Sequence, residues 1–263
     1  MTINLTPFKH EPLCYGHTWT VEDESVLAQR IARVALGQAR HIQKILAGAS
    51  VVAPATTKNA ARDAIKLLTV ATGEDPWHRD GWMFQVLSWI AAYRAAPDGI
   101  ISTPHIRLAD KGFDGLELEV NKKTGKVKGA IIFEDKATDN PRDTVRDAVW
   151  PEFAALESGE RENMLTAEVV ALLSTKLDID PDAAIENIIW GNVRRYRISI
   201  TVGGNHSDEA GRRRLFKGYD AIAAGDMKRR RAETLYVDDL RAWMQRLAGK
   251  AIAIVRAEVK AHV

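Results

Sequence analysis

The sequence predicts an α/β protein with a mixed central β-sheet flanked by helices and helical extensions at both ends. Three observations predict it. Residues 112–120 and 128–138 are two apolar, β-branched segments joined by Asn121-Lys122-Lys123-Thr124-Gly125-Lys126, which carries the Asn and Gly a hairpin loop needs. Residues 195–202 alternate polar and apolar and stop at Gly203-Gly204, as a half-buried strand does. Helical periodicity surrounds these strands on both sides.

Taken in order, residues 1–20 contain Pro7, Pro12 and Gly16 without a sustained period, and read as an irregular or short extended lead. His10, Cys14 and His17 read as a scattered surface segment, since no fourth ligand stands at a metal-site spacing. Thr20, followed by Glu22, Asp23 and Glu24, predicts a capped helix with Val26, Leu27, Ile31, Val34, Ile42 and Ile45 on its apolar side. Thr57 opens a second helix, stopped by Gly73 and Pro76. Residues 82–94 form a third, apolar nearly all round and therefore buried against the sheet. Residues 100–108 predict a strand, with Pro104 marking a bulge or an edge.

The hairpin follows. A turn centred near Thr124 sets Val120 opposite Lys128 and Asp114 opposite Glu134. Period-two alternation then puts Glu134 and Lys136 on one face, with Phe133 and Asp135 on the other. Beyond it come a helix from Asp143 that Trp150-Pro151 kinks or divides, a helix over 163–176, and a short one capped by Asp180. Residues 205–231 are polar, and an amphipathic helix over 237–255 closes the chain. The organisation expected is an N-terminal helical region (1–76), a core (77–204), and a basic segment with a C-terminal helix packed on that core (205–263).

At 263 residues and 46% hydrophobic content the chain can bury a sizeable core. A net charge of +2 excludes a protein that coats nucleic acid by overall basicity, so any electrostatic footprint must be local. The single cysteine, Cys14, forms no intrachain disulfide. With neither a signal-peptide pattern nor a membrane-length apolar run, a cytoplasmic location and no membrane partner are expected. Walker A and dinucleotide-binding strings are absent, and Ser88 and Ser102 have no recognisable base partner. His78, His105 and His206 are isolated and read as structural.

The chemistry-bearing residues are Phe113-Asp114-Gly115 and, some twenty positions later, Phe133-Glu134-Asp135-Lys136, in the order helix, strand, strand, strand, helix, strand. Over roughly residues 80–203 the chain resembles the PD-(D/E)xK, or restriction-endonuclease-like, nuclease superfamily. The resemblance implies that Asp114 and Glu134 hold Mg²⁺ or Mn²⁺, with the Asp135 backbone carbonyl as a further ligand. It implies that Lys136 orients or activates the attacking water. Phe113 stands where the family name has proline, and a helical accessory ligand is left open among Glu74, Asp75, Asp80 and Gln85. The chemistry makes the same demand: phosphodiester hydrolysis needs a hard cation on oxygen ligands, an aligned water and positive charge near the reacting phosphoryl group.

A second constellation is basic. From Arg194 to Arg231 eleven basic side chains face four acidic ones: Arg194, Arg195, Arg197, Arg212, Arg213, Arg214, Lys217, Lys228, Arg229, Arg230 and Arg231. Such a stripe attracts phosphates, and Phe216 and Tyr219 are candidates to stack on bases. The expected activity is Mg²⁺-dependent DNA endonuclease, with RNA left open and a role in restriction or antiphage defence implied by the resemblance. A second copy of the chain, or a partner such as an ATPase, is the expected assembly. The rival is a catalytically silent subunit that binds nucleic acid or protein.

Overall fold

The structure, a computed structural model, describes residues 2–105, 112–121, 123–174, 179–190 and 193–260. It begins with a correction, because the lead is not irregular. Residues Ile3–His10 (β1) and Cys14–Val21 (β2) form an antiparallel hairpin. Pro7 has no N–H to donate, which suits a strand at the sheet edge. His10 and Cys14 are buried rather than scattered on the surface.

Because β2 runs to Val21, the first helix starts later than Thr20 and is capped by Asp23, whose Oδ1 accepts from the amides of Ser25 (2.8 Å) and Val26 (3.0 Å). It also divides: α1 (Glu24–Ala35) and α2 (Ala39–Leu46) are separated at Gly37, which takes φ 77°. Thr57 caps α3 (Lys58–Leu68) as expected, its side chain accepting from the Ala60 amide at 3.1 Å. The next helix, α4 (Trp77–Ala95), begins earlier than residue 82 and is buried from Trp82 to Phe84 and from Val86 to Tyr93.

Of the strand expected over 100–108, the sheet contains β3 (Ile100–Ile101); residues 106–108 lie outside the described residues, as do Lys122 of the turn and Lys176. The hairpin is β4 (Gly115–Val120) and β5 (Val127–Lys136). Its register runs from Gly115 opposite Phe133 to Glu119 opposite Gly129, which continues to Asp114 opposite Glu134. A bulge between Glu119 and Val120 pairs Val120 with Val127 instead of Lys128, so the irregularity is confined to the turn end.

Residues 141–158 form one helical rod rather than two pieces: α5 (Pro141–Thr144) passes through a widened turn, Val145–Val149, into α6 (Trp150–Ser158). In that turn the Trp150 amide bonds to the Val145 carbonyl, a five-residue step immediately before Pro151, which has no amide hydrogen to give. Then follow α7 (Glu162–Leu173), α8 (Pro181–Trp190), β6 (Arg194–Val202), α9 (Glu209–Leu215), α10 (Tyr219–Ile222), β7 (Arg230–Tyr236) and α11 (Leu240–Lys260).

The protein is α/β, with seven strands in one mixed sheet of order β1-β2-β7-β6-β5-β4-β3. Strands β5, β6, β7 and β2 are mutually parallel, while β1, β4 and β3 pair antiparallel. The N-terminal hairpin joins through Gly16, where a Cβ would lie 1.7 Å from the Ala232 carbonyl oxygen, so only glycine permits this approach. One apolar layer packs α1 to α4 and α11 on the sheet face carrying Ile131 and Phe133. The other packs α6 to α10 on the face carrying Ile132, Tyr196 and Ile198. Both faces are covered, so β6 is buried from Tyr196 to Val202 instead of half-buried. Among the described residues no helix is long and apolar enough to cross a membrane.

Candidate active site

The register that sets Asp114 opposite Glu134 brings three polar side chains together at the carboxyl end of β5. Lys136 Nζ stands 2.7 Å from Glu134 Oε2 and 3.4 Å from Asp114 Oδ2. The same Asp114 oxygen accepts the backbone N–H of Asp135 at 2.7 Å, and Asp114 Oδ1 accepts from Gln85 Nε2 at 2.6 Å. Asp114 is thus fixed from both β5 and α4.

Burial pushes the Glu134 carboxyl up to about 8; the Asp114 charge adds to this, the Lys136 ammonium works against it, and Glu152 on α6 adds a smaller push upward. For Lys136, burial disfavours the charge, but Asp114 and Glu134 outweigh it and hold the amine as ammonium. The site therefore combines a fixed carboxylate, a carboxyl poised near neutrality and a permanent cation.

Asp135 lies on the opposite face. Its Oδ1 accepts from Ser88 Oγ at 2.5 Å, and Ser88 Oγ is 3.2 Å from Ser199 Oγ. Arg197 donates to Ser88 Oγ at 2.8 Å and lies 3.9 Å from Asp135, 3.7 Å from Glu233 and 4.5 Å over the Phe133 ring. Burial raises Asp135 to about 6, against the pull of Arg197. Burial alone would raise Glu233 as well, but bonding from His17 together with Arg197 and Arg231 lowers it. Glu233 also accepts from Trp19 Nε1 at 2.6 Å. Any ligand role for Asp135 thus belongs to its backbone carbonyl, since its side chain is committed beneath α4.

The accessory candidates separate. Gln85 reaches Asp114. Asp80 is fully buried and engaged elsewhere, between Arg79 (2.7 Å) and Arg241 (2.6 Å). Glu74 and Asp75 are exposed ahead of α4. Sequence reasoning missed Ser88, Ser199 and Glu152. The signal for Ser88 was its place one helical turn from Gln85.

A divalent cation fits the donor set. Asp114 and Glu134 already face one ammonium as they would face one metal ion. Among the described residues, no group of three or more His, Cys, Asp or Glu side chains is arranged around a common metal position. Two carboxylates with water completing the sphere is how Mg²⁺ is commonly held.

The basic stripe does not form one face. Arg197, Arg230 and Arg231 are buried: Arg230 donates to the carbonyls of Pro12, Leu13, Ala223 and Gly225, and Arg231 pairs with Glu117 at 2.9 Å. Arg229 holds Glu157 through two 2.8 Å bonds, Arg195 holds Glu119 at 2.7 Å, and Arg194 donates to the Leu156 carbonyl at 3.0 Å. Arg212 lies partly buried over the Phe8 ring, while Arg213, Arg214, Lys217 and Lys228 are exposed. Phe216 and Tyr219 are buried core side chains and cannot stack on bases, a second correction. The alternating positions that read as a wet face point into packed layers on both sides of the sheet.

Compared with known proteins, the sequence matches no protein-family model and no curated protein.

Proposed function

We propose that the chain is a metal-dependent nuclease that hydrolyses DNA phosphodiester bonds, with residues 77–204 forming a restriction-endonuclease-like core. The observation that carries this reading is the meeting of Asp114 and Glu134 at one ammonium, Lys136 Nζ. A bound Mg²⁺ or Mn²⁺ supplies an activated water and neutralises phosphoryl charge. Asp114, held by Gln85 and the Asp135 amide, presents a carboxylate of fixed direction. Glu134 would hold the ion as the deprotonated carboxylate, so the cation would compete there with the proton that burial favours. Lys136, kept as ammonium, serves as positive charge beside the reacting phosphoryl oxygens and not as a general base. Substrate contacts beyond the site fall to the exposed Arg213, Arg214, Lys217 and Lys228.

The rival reading, a silent binding subunit, draws on the basic stripe, and nine of its eleven cations make bonds within the protein. A role in restriction or antiphage defence, in the cytoplasm and with a second copy or an ATPase as partner, rests on the resemblance alone. The test is incubation of purified protein with plasmid and linear DNA, with Mg²⁺, without it, and with EDTA. Cleavage confined to the Mg²⁺ samples is expected; no cleavage under any metal condition contradicts the reading.

A further inference from the structure

Beyond Lys136 the chain leaves β5 and, together with the loop that follows β6, encloses a cleft of ≈ 340 Å³. Its walls include Asp139, Asn140, Arg142, Gly203, Gly204 and His206. β5 and β6 are adjacent parallel strands, so the cleft lies outside their carboxyl ends, where open α/β sheets place ligands.

The charges there are asymmetric. The acids are paired: Asp139 with Arg241 at 2.9 Å, which also holds Asp80, and Asp143 with Arg146 at 2.9 Å, which also holds Asp147. The cations are held by neutral acceptors. Arg142 Nη1 donates to the carbonyls of Leu215 (2.7 Å) and Lys217 (3.1 Å), and Arg214 donates to the Asn205 carbonyl at 3.2 Å. Among the described residues neither Arg142 nor His206 has a carboxylate within ion-pair distance. Arg142 and Arg214 are both close enough to His206 to add to burial in lowering its proton affinity. Asp143 and Asp147 act on Arg142 through space, more weakly than burial and the neighbouring Arg146, so the cleft keeps a guanidinium that no described carboxylate holds in an ion pair. Gly203 and Gly204 leave open space where side chains would stand.

We propose that this cleft binds a phosphate of the nucleic-acid strand whose scissile phosphate lies at Lys136. The inference rests on the nuclease reading and deepens it by setting the strand's path. Asp139 is three residues past Lys136, at most roughly 10 Å of chain. That reach sets the occupant on the same strand, within a few phosphates of the cut. Arg142 supplies the fixed guanidinium and His206 a second donor.

The test uses full-length protein carrying Glu134→Ala, so that binding is read without cleavage. The His206 ring is followed by NMR during titration with inorganic phosphate and, separately, with a short single-stranded oligonucleotide lacking terminal phosphates. Both are expected to raise the His206 pKa. Adding Gly204→Asp sets a carboxylate in open space at the cleft, and is expected to abolish both effects and weaken oligonucleotide binding about tenfold. Gly204→Ala, which leaves both effects intact, separates charge from fold. An unmoved His206, a response to inorganic phosphate but not to the oligonucleotide, or undiminished binding by Gly204→Asp overturns the proposal. Cleavage without the phosphate effect removes this inference alone; the phosphate effect in a protein that never cleaves removes the nuclease reading and the scissile phosphate with it, leaving a cleft that binds nucleic-acid phosphate.

Discussion

Gln85 Nε2 donates to Asp114 Oδ1 across 2.6 Å, tying the middle of α4 to the residue just ahead of β4. Gln85→Ala leaves that carboxylate held from β5 alone. The expected outcome is weaker Mg²⁺ affinity, by about tenfold, with stability changed by about 1 kcal/mol. Calorimetric Mg²⁺ titration and urea unfolding of the same variant measure the two effects.

Glu134 makes stability depend on pH, and is expected to make Mg²⁺ binding do so as well. Its folded-state proton affinity is raised from the ordinary 4.5 to about 8, so the folded state binds more protons than the unfolded one between these values. Its contribution to stability is therefore complete below pH 4.5 and is lost as pH rises through about 8. Since Mg²⁺ competes with that proton, the rise in melting temperature on adding Mg²⁺ is expected to grow with pH across this window and to shrink in Glu134→Gln. Asp114→Asn removes the like charge and is expected to lower the Glu134 pKa, as followed by carboxyl-carbon NMR.

Ser88 and Arg197 clamp α4 onto the sheet one turn from Gln85. Ser88→Ala strips a bond from both Asp135 and Arg197, at an expected cost of about 1–3 kcal/mol. Arg197→Met leaves Asp135 and Glu233 without their shared cation inside the protein, at about 3–5 kcal/mol. Urea denaturation ranks the two variants; equal, negligible losses would mean that the network is not coupled.

The basic residues divide into two groups with different readouts. Replacing Arg213, Arg214 and Lys217 together by alanine is expected to flatten the salt dependence of DNA binding while leaving stability nearly unchanged. Arg230→Ala strips donors from four backbone carbonyls and is expected to lower the melting temperature well before any specific effect on DNA binding is measurable.

These contrasts explain how far the sequence was legible. Alternation around Glu134 and Lys136, with a turn carrying Asn121 and Gly125, was sufficient for the hairpin register and the meeting of Asp114, Glu134 and Lys136. The bulge at Val120 escaped notice because it alters only the turn end. Arg197, Ser199 and Thr201 looked like a solvent face, since period-two alternation records polarity and not what packs above it. Here α4 supplies Ser88 to satisfy part of that polar row, so a polar stripe is buried. The β1–β2 hairpin was obscured by Pro7, Pro12 and Gly16. Pro7 lies in an edge strand, and Gly16 permits the close contact with β7. Phe216 and Tyr219 sit among basic residues in the chain yet in the core in space, because arginines such as Arg230 turn inward to backbone carbonyls.

The most direct measurement compares wild type, Glu134→Ala and Lys136→Ala for Mg²⁺-dependent plasmid cleavage, with DNA affinity recorded in parallel. Both variants are expected to lose cleavage, by at least about a hundredfold, while retaining DNA binding. Cleavage at the wild-type rate by either variant would contradict the assignment of the site to Asp114, Glu134 and Lys136.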